Sequence, residues 1–295
     1  MEETFNRYDC IVIGGGPAGL SAAAHAAGSG YRCAVIEQSI TGGHLAKIMR
    51  ITDYPEIGEI GGYTFAAQLT GQAEQAGAAL LPGTRVLSLH RDENGFSVVT
   101  DNRTTLHSRS VIVATGLREI STGLPEEERY KGKGVSYCAE CDGSFFRNKP
   151  VMVYGNGPGA DEAVSLLSAT STPVYHVTGM ECIPDETWVR RGETVFTLSG
   201  WHLDRLEGSP VLVNIQLKPH SGEQALQVDC NGLFVYRGSV AADELLQPFS
   251  GDDLASIGLF TAGQLAGNIL LKEICDDGTV KAESLVRFLR DHHAD

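Results

Sequence analysis

Two cysteines at C-x-x-C spacing are the side chains with the clearest chemical capacity in this sequence. Cys138 and Cys141 lie in the stretch GVSYCAECDGSFF, residues 134–146, and Asp142 follows directly. This spacing indicates either a redox pair or half of a zinc site. The sequence has no second C-x-x-C to complete four zinc ligands. We therefore predict thiol–disulfide exchange through a thiolate, without a metal, and with Asp142 placed to move protons.

The other five cysteines have no spacing that implies chemistry. Residues 1–9 carry Glu2, Glu3 and Asp9 against Arg7, which is the wrong charge for a secretion signal. In a cytoplasmic protein, isolated cysteines stay reduced and behave as small core residues. We therefore expect a cytoplasmic protein in which the following remain free thiols: Cys10, Cys33, Cys182, Cys230 and Cys275.

The charge of the chain excludes two classes of partner. Its 295 residues include 23 Lys and Arg against 37 Asp and Glu, for a net charge of −14. Nucleic acid and an anionic membrane surface would both repel such a protein. No stretch reaches the roughly 20 apolar residues of a membrane span. We predict a globular protein that binds neither nucleic acid nor a membrane.

A glycine-rich turn near the start of the chain indicates a dinucleotide-binding unit. The run CIVI predicts a buried strand, Gly14, Gly16 and Gly19 form G-x-G-x-x-G, and a helix follows. The second strand, CAVIE, ends at Glu37, whose carboxylate can accept hydrogen bonds from a ribose. The helix N-terminus favours a bound diphosphate. These signals agree in register, and the later segments TGGHL, DYP and VIVATG favour FAD over NAD.

A second turn of the same kind follows the dithiol. The strand VMVY leads into Gly155, Gly157 and Ala160, which form G-x-G-x-x-A ahead of the helix DEAVSLL. The fold class is therefore α/β, with two Rossmann-like dinucleotide-binding domains.

The order of these segments resembles the low-molecular-weight thioredoxin reductases over essentially the whole chain. The most specific block is LPEEERYKGKGVSYCAECDGSFF, residues 124–146, and GLFTAGQLAGN, residues 258–268, comes later. The resemblance implies a homodimer with FAD, three-layer ββα domains, and the second domain inserted in the first. The implied boundaries are 1–117 with 239–295 for FAD and 118–238 for the dithiol domain.

The resemblance also implies roles for individual residues. Cys141 would face the flavin, Cys138 would attack the disulfide of thioredoxin or another protein, and Asp142 would be the acid–base group. The implied FAD contacts are Gly14, Gly16, Pro17, Ala18, Gly19, Glu37, Gln38, Gly43, His44, Leu45, Asp53, Ala114, Thr115, Gly116, Gly263 and Gln264.

The chain departs from that family where NADPH would bind. In that family, two arginines that hold the 2′-phosphate come directly after a histidine. In this chain, Val177 and Thr178 come after His176 instead. Neither residue has the planar, charged donor fork of arginine. Pro158 removes a backbone donor from the second turn, and we read Arg190 and Arg191 as surface charge. A glutamine, Gln264, replaces the aspartate of the family's AGD motif but can still hydrogen-bond a hydroxyl.

These departures favour the pyridine-nucleotide-independent branch of the family, and four alternatives remain open. The first is a diflavin-linked disulfide oxidoreductase with two FAD per subunit. The second is a ferredoxin-dependent flavin thioredoxin reductase, which the net charge disfavours because ferredoxins are acidic. Trp188 and Trp201, which could stack on a second flavin, favour the first slightly. An oxygen-dependent dithiol oxidase and a non-catalytic flavin sensor complete the set.

Overall fold

The computed structural model describes residues 6–51, 54, 57–179, 187–191, 194–220, 222, 224–267 and 270–292, with backbone only at 187–189 and 191. The chain forms two compact units, one of Met1–Leu117 with Ala241–Asp295 and one of Arg118–Val240. None of the helices in the described ranges is long and apolar enough to cross a membrane.

The first unit begins with the elements that the glycine motif predicts. A strand, β1, leads through the glycine turn into helix α1, and β2 ends at Glu37. The elements up to the first crossing between units are β1 Arg7–Ile13, α1 Pro17–Gly28, β2 Cys33–Glu37, α2 Gly62–Gln75, β3 Ala79–Pro82, β4 Val86–Asp92, β5 Gly95–Thr100, β6 Thr105–Val113 and β7 Leu117–Glu119. A 3₁₀ turn, Gly43–Lys47, follows β2.

The second unit contains α3 Glu127–Tyr130, β8 Val135–Ser136, α4 Ala139–Asp142, β9 Val151–Gly155, α5 Pro158–Ser168, β10 Val174–Val177, β11 Thr187–Arg191, β12 Val195–Ser199, β13 Trp201–Glu207, β14 Asn214–Pro219, β15 Leu226–Asp229 and β16 Gly232–Tyr236. The chain then returns through β17 Ser239–Ala241 and completes the first unit with β18 Leu259–Thr261 and α6 Leu271–Asp291. Further 3₁₀ turns are Gly143–Phe146, Glu244–Phe249, Leu254–Ile257 and Gly263–Ala266.

The sheet of the first unit explains why its central strands are almost entirely apolar. Its order is β3-β2-β1-β6-β5-β4, with β18 also paired to β6. The strands β2, β1, β6 and β18 are parallel. One apolar cluster packs the sheet against α1 and α6, and another covers the opposite face. Strands covered on both faces have continuous apolar runs, as CIVI and CAVIE do.

The sheet of the second unit repeats this plan. Its order is β11-β12-β10-β9-β16-β8, and β10, β9, β16 and β8 are parallel. One apolar cluster includes residues of α5, and the other lies against the antiparallel sheet β13-β14-β15. The predicted α/β class, with two Rossmann-like units of which the second is inserted in the first, is confirmed.

Candidate functional site

The two cysteines form a disulfide at the start of a short helix. Cys138 precedes α4 and its Sγ is bonded to that of Cys141, with the two Cα atoms 5.4 Å apart. The backbone N–H of Cys141 also points to Cys138 Sγ at 3.1 Å. Cys141 is exposed and Cys138 is half-buried. The same N–H would stabilise negative charge on Cys138 after reduction, which is what a nucleophilic thiolate requires.

Asp142 is held in place by a serine that the sequence analysis did not single out. Ser136 Oγ donates to Asp142 Oδ2 at 2.6 Å and accepts the N–H of Cys138 at 3.0 Å. Ser136 is buried, and Asp142 lies at the end of α4, where its own N–H bonds to the carbonyl of Cys138. One hydroxyl thus connects the carboxylate to the backbone of the first cysteine.

A buried glutamate anchors the residue before Cys138. Glu127 is 3% exposed, and its carboxylate accepts hydrogen bonds from the Tyr137 hydroxyl and from both the N–H and the hydroxyl of Thr122. Lys131 Nζ lies 6.0 Å from the centre of the Tyr137 ring. Glu127 stands in a run of three glutamates, which in sequence is typical of a solvated surface. Only its burial reveals the role.

The first glycine turn has the backbone that its glycines predict. Gly14 has φ +107°, and a Cβ there would overlap the carbonyl oxygen of Ala114. A Cβ on Gly19 would overlap the carbonyl of Gly14, so α1 packs directly on the turn. By contrast, a Cβ on Gly16 would meet no described atom within 4 Å. The turn is therefore open at Gly16, where a diphosphate must approach closely.

The Glu37 carboxylate is built into this turn. It is 8% exposed and accepts the N–H of Gly15 through Oε2 and the N–H of Ser39 through Oε1, both at 2.8 Å. Each oxygen of a carboxylate has a second lone pair, so Glu37 can still accept from a ribose hydroxyl. Among the described residues, no side chain caps α1. The free helix start and the carboxylate together fit the adenosine diphosphate half of FAD.

Most of the other predicted cofactor residues meet around the same turn. A Cβ on Gly43 would lie 3.4 Å from Gly16 Cα, and one on Gly263 would lie 2.7 Å from the Cβ of Ala18. Gln264 Oε1 would lie 3.5 Å from a Cβ on Gly116. The Thr115 hydroxyl donates to the carbonyl of Ala242 at 2.6 Å.

The remaining predicted cofactor residues that the structure describes differ from one another in burial. Leu45 is 2% exposed and belongs to the apolar core of the unit. Gln38 and His44 are exposed, and Asp53 lies outside the described residues. Pro17 occupies the first position of α1, where a missing N–H costs nothing.

The sequence did not predict one residue near the first glycine turn, Asp277. Asp277 of α6 accepts the N–H of Gly263 through Oδ2 at 2.8 Å, and Gly278 packs against Ala18. Gly263 has φ +72° and begins a 3₁₀ turn, so Asp277 fixes the backbone that presents Gln264. Two adjacent acidic residues inside a helix, Asp276 and Asp277, give no sequence signal for such a contact.

The second glycine turn has a positive φ at Gly155, as the first has at Gly14, but it differs at Gly157, where Gly16 is extended, and it lacks the carboxylate. Gly155 and Gly157 have φ +137° and +86°, and Pro158 starts α5. The next strand, β10, ends in the buried residues His176 and Val177. His176 Nε2 bonds to the carbonyl of Gly155 at 3.0 Å, and Thr178 Oγ1 lies 3.5 Å from Ser199 Oγ. Val177 and Thr178 carry no charge that could bind a phosphate at the end of β10.

Several of the remaining sequence candidates lie within the described residues. Arg190 is exposed on β11, with its guanidinium 6.0 Å from the centre of the Phe196 ring. Trp201 is 9% exposed in the apolar core, so it does not offer a face to a second flavin; the side chain of Trp188 and all of Cys182 lie outside the description. The other single cysteines, Cys10, Cys33, Cys230 and Cys275, are buried and free.

Burial keeps two of these thiols neutral. Desolvation raises the pKa of Cys230 to about 12 and that of Cys275 to about 11. Since the thiolate is the reactive form, these cysteines are inert near neutral pH. The redox chemistry of the described residues is thus concentrated at Cys138 and Cys141.

Comparisons with known proteins agree with this geometry. Residues 8–190 match the sequence model of the family Pyridine nucleotide-disulphide oxidoreductase. Thioredoxin reductase of Helicobacter pylori is 29% identical over 310 residues, covering 96% of this chain and 99% of that protein. The crystal structure of T. acidophilum thioredoxin reductase superimposes with TM-score 0.70 at 24% identity, over 98% of this chain and 100% of that one. A ferredoxin-flavin thioredoxin reductase from Clostridium acetobutylicum shares the fold, with TM-score 0.51 at 23% identity over 97% and 98% of the two chains.

Proposed function

Because this chain belongs to the pyridine nucleotide-disulphide oxidoreductase family and is a thioredoxin reductase-like, FAD-dependent disulfide oxidoreductase, we propose that it reduces a partner disulfide without using NADPH. One observation carries the proposal. The second unit combines the Cys138–Cys141 disulfide with a strand end, Val177 and Thr178, that has no charge for a 2′-phosphate. Replacing two charged hydrogen bonds by none costs about 3–6 kcal/mol of binding.

The proposed reaction is a dithiol–disulfide exchange. A flavin held by the first unit would, once reduced by its donor, supply the two electrons that, with two protons, convert the Cys138–Cys141 disulfide into a dithiol. The Cys138 thiolate then attacks a disulfide of thioredoxin, the partner class supported by the names of the relatives. Cys141 displaces the partner's second sulfur as a thiol and restores the internal disulfide. Asp142, oriented by Ser136, takes and returns the proton.

The residues of the first glycine turn, with Glu37, Gly43, Gln264 and the backbone N–H fixed by Asp277, hold the FAD in this proposal. In this proposal, the electron donor that reduces the bound FAD is not a nicotinamide dinucleotide. A second FAD and a reduced ferredoxin remain the two candidates, and the buried position of Trp201 removes one argument for the second flavin. The proposal includes a cytoplasmic location, supported by the four buried free thiols. The homodimer stays a prediction.

An anaerobic spectroscopic experiment tests the proposal. Purified protein is mixed either with NADPH or with dithionite, and the oxidised flavin band at roughly 450 nm is followed. We expect dithionite to bleach the band, NADPH to leave it unchanged at micromolar concentration, and oxidised thioredoxin to restore it after dithionite is consumed. Rapid bleaching by micromolar NADPH would contradict the proposal.

Two controls complete the test. Cys138→Ser keeps the flavin but removes the attacking sulfur, so the bleached band should not recover with thioredoxin. Flavin released by denaturation and counted per chain separates one FAD from two. Recovery with oxygen alone, at a rate that a dithiol substrate increases, would instead favour the oxidase.

A further inference from the structure

The two units place different residues at equivalent positions beside their glycine turns. In the first unit Ile13 pairs with Val113, so Ala114 is the residue beside Gly14. In the second unit Gly155 pairs with Tyr236 in the same parallel arrangement. In both units a Cβ on the glycine would overlap the carbonyl oxygen of this neighbour. Tyr236 therefore occupies the position that Ala114 occupies in the FAD-type unit.

This position borders the crevice in which open α/β sheets bind ligands. Ligands lie outside the carboxyl ends of the strands, at the point where the strand order reverses. In the second unit that point lies between β9 and β16, because β10 follows β9 on one side and β16 flanks it on the other. The first unit lines this point with the small residues Ala114, Thr115 and Gly116, whereas the second has Tyr236, Arg237 and Gly238.

The Tyr236 ring contacts the glycine turn itself. Its Cδ1 and Cε1 atoms would lie 3.4 and 3.8 Å from a Cβ on Gly159, the second residue of α5. The ring thus lies against the first turn of the helix, on the side that faces β16. A diphosphate crossing the sheet from β9 to β16 would have to pass the same space.

The Tyr236 hydroxyl reaches the dithiol. It accepts the backbone N–H of Ala139, which lies between the two cysteines, at 2.9 Å. Burial, together with the nearby Glu140 and Glu162 carboxylates, raises the pKa of Tyr236, so the hydroxyl stays protonated at neutral pH. One side chain therefore connects the second glycine turn to the C-x-x-C helix.

The neighbouring arginine does not replace the missing phosphate clamp. Arg237 Nη1 donates to the carbonyl of Ser121 at 2.7 Å, and its guanidinium lies 5.8 Å from the centre of the Tyr154 ring. Its charge is engaged within the unit, even though the side chain is exposed.

We propose that Tyr236 is a built-in occupant of the second dinucleotide crevice, with its ring filling the diphosphate path and its hydroxyl positioning the dithiol turn. The inference rests on the proposed function and names a residue that enforces it. Loss of the 2′-phosphate clamp alone would still admit a dinucleotide without that phosphate. A ring in the diphosphate path excludes both kinds.

A titration of the FAD-loaded protein tests the role of the ring. NAD⁺ and NADP⁺ are titrated by calorimetry into the wild type, Tyr236→Val, Tyr236→Ala and Tyr236→Phe. Valine suits the strand position, and the alanine variant provides a second opening should one of them fold poorly. We expect no saturation with the wild type or Tyr236→Phe, and at least about tenfold tighter binding with the two opened variants. The gain should be equal for NAD⁺ and NADP⁺, since Val177 and Thr178 offer no charge to the extra phosphate.

Arg237→Ala is the matched control at the adjacent position. It alters the same segment without touching Gly159 and should gain no binding. A gain equal to that of Tyr236→Val would overturn the assignment to the ring, as would the absence of any gain in both opened variants.

The hydroxyl is tested separately with Tyr236→Phe. The reduced protein is mixed with a small aromatic disulfide, and the rate of thiol–disulfide exchange is measured from pH 6 to 9. Loss of the hydrogen bond to Ala139 should slow exchange about three- to tenfold, the range for one net hydrogen bond. An unchanged rate across this range would overturn the positioning role.

The two failures can be told apart. If the wild-type flavin is reduced by NADPH, the proposed function fails whatever the variants do. If NADPH does not reduce the wild-type flavin and the Tyr236→Val and Tyr236→Ala variants bind neither NAD⁺ nor NADP⁺ more tightly, only the role of Tyr236 fails.

Discussion

In the first unit, Glu37 directly follows Ile36, the residue of β2 that pairs with Ile13 just before the glycine turn. Its carboxylate accepts hydrogen bonds from two backbone N–H groups. In the second unit, Tyr154 pairs with Val177 as Ile13 pairs with Ile36, so Thr178 occupies the position of Glu37. On the opposite side, Ala114 is replaced by Tyr236. The two units share the order of their central strands and the positive φ of the first motif glycine, yet both residues that would face a dinucleotide differ.

A glycine-rich turn in a sequence therefore predicts a local backbone conformation but does not predict which ligand, if any, binds there. The first motif glycine, Gly14 or Gly155, is required because a Cβ there would overlap a backbone carbonyl in either unit. The ligand is decided by what the adjacent strands place around the turn. The second unit has the same close approach at its first glycine, and the segment that precedes this turn carries the dithiol.

The largest expected effect comes from a test of the shared part. Gly14→Ala and Gly155→Ala each force a Cβ into a backbone carbonyl at a positive φ. We expect each to cost about 3 kcal/mol or more of the stability of its own unit. Only Gly14→Ala should also release FAD, which a flavin count per chain and two-wavelength thermal unfolding would reveal. Flavin loss in Gly155→Ala to the same degree would break the comparison.

A smaller effect tests the part that differs. Glu37→Ala leaves the N–H groups of Gly15 and Ser39 without their carboxylate, and we expect FAD to bind about 30- to 100-fold more weakly. Thr178→Ala, at the matched position, should leave FAD binding unchanged. Apoprotein titrated with FAD, followed by flavin fluorescence, gives both values. Equal weakening in the two variants would mean that the units are not distinguished by this position.

The sequence predicts the shared part well because its signals are local. Strand, turn and helix lie within about thirty consecutive residues, and β1, α1, β2, β9 and α5 all form where the glycines and apolar runs indicate. The residues that differ in role are set by long-range register. Tyr236 and Asp277 reach their turns only through packing between distant segments, and Glu127 is distinguished from its neighbouring glutamates by burial alone.

The smallest effect is expected from a test of whether Ser136 supports the reactivity of the dithiol in the second unit. Ser136 bridges Asp142 and the N–H of Cys138, so Ser136→Ala should slow oxidation of the reduced protein by a small disulfide about fivefold, the equivalent of about 1 kcal/mol. Ser136→Thr keeps the hydroxyl and should restore most of the rate.

Coupling to Asp142 distinguishes this role from a general loss of structure. If Ser136 acts by orienting the carboxylate, then Ser136→Ala should cost much less in an Asp142→Asn background than in the wild type, because neighbours in one network are not additive. Stopped-flow rates for the two single variants and the double variant give the interaction energy directly. Full additivity would mean that Ser136 supports only the backbone of Cys138. In that case the N–H contact at 3.0 Å, rather than the carboxylate contact at 2.6 Å, would be the one that matters.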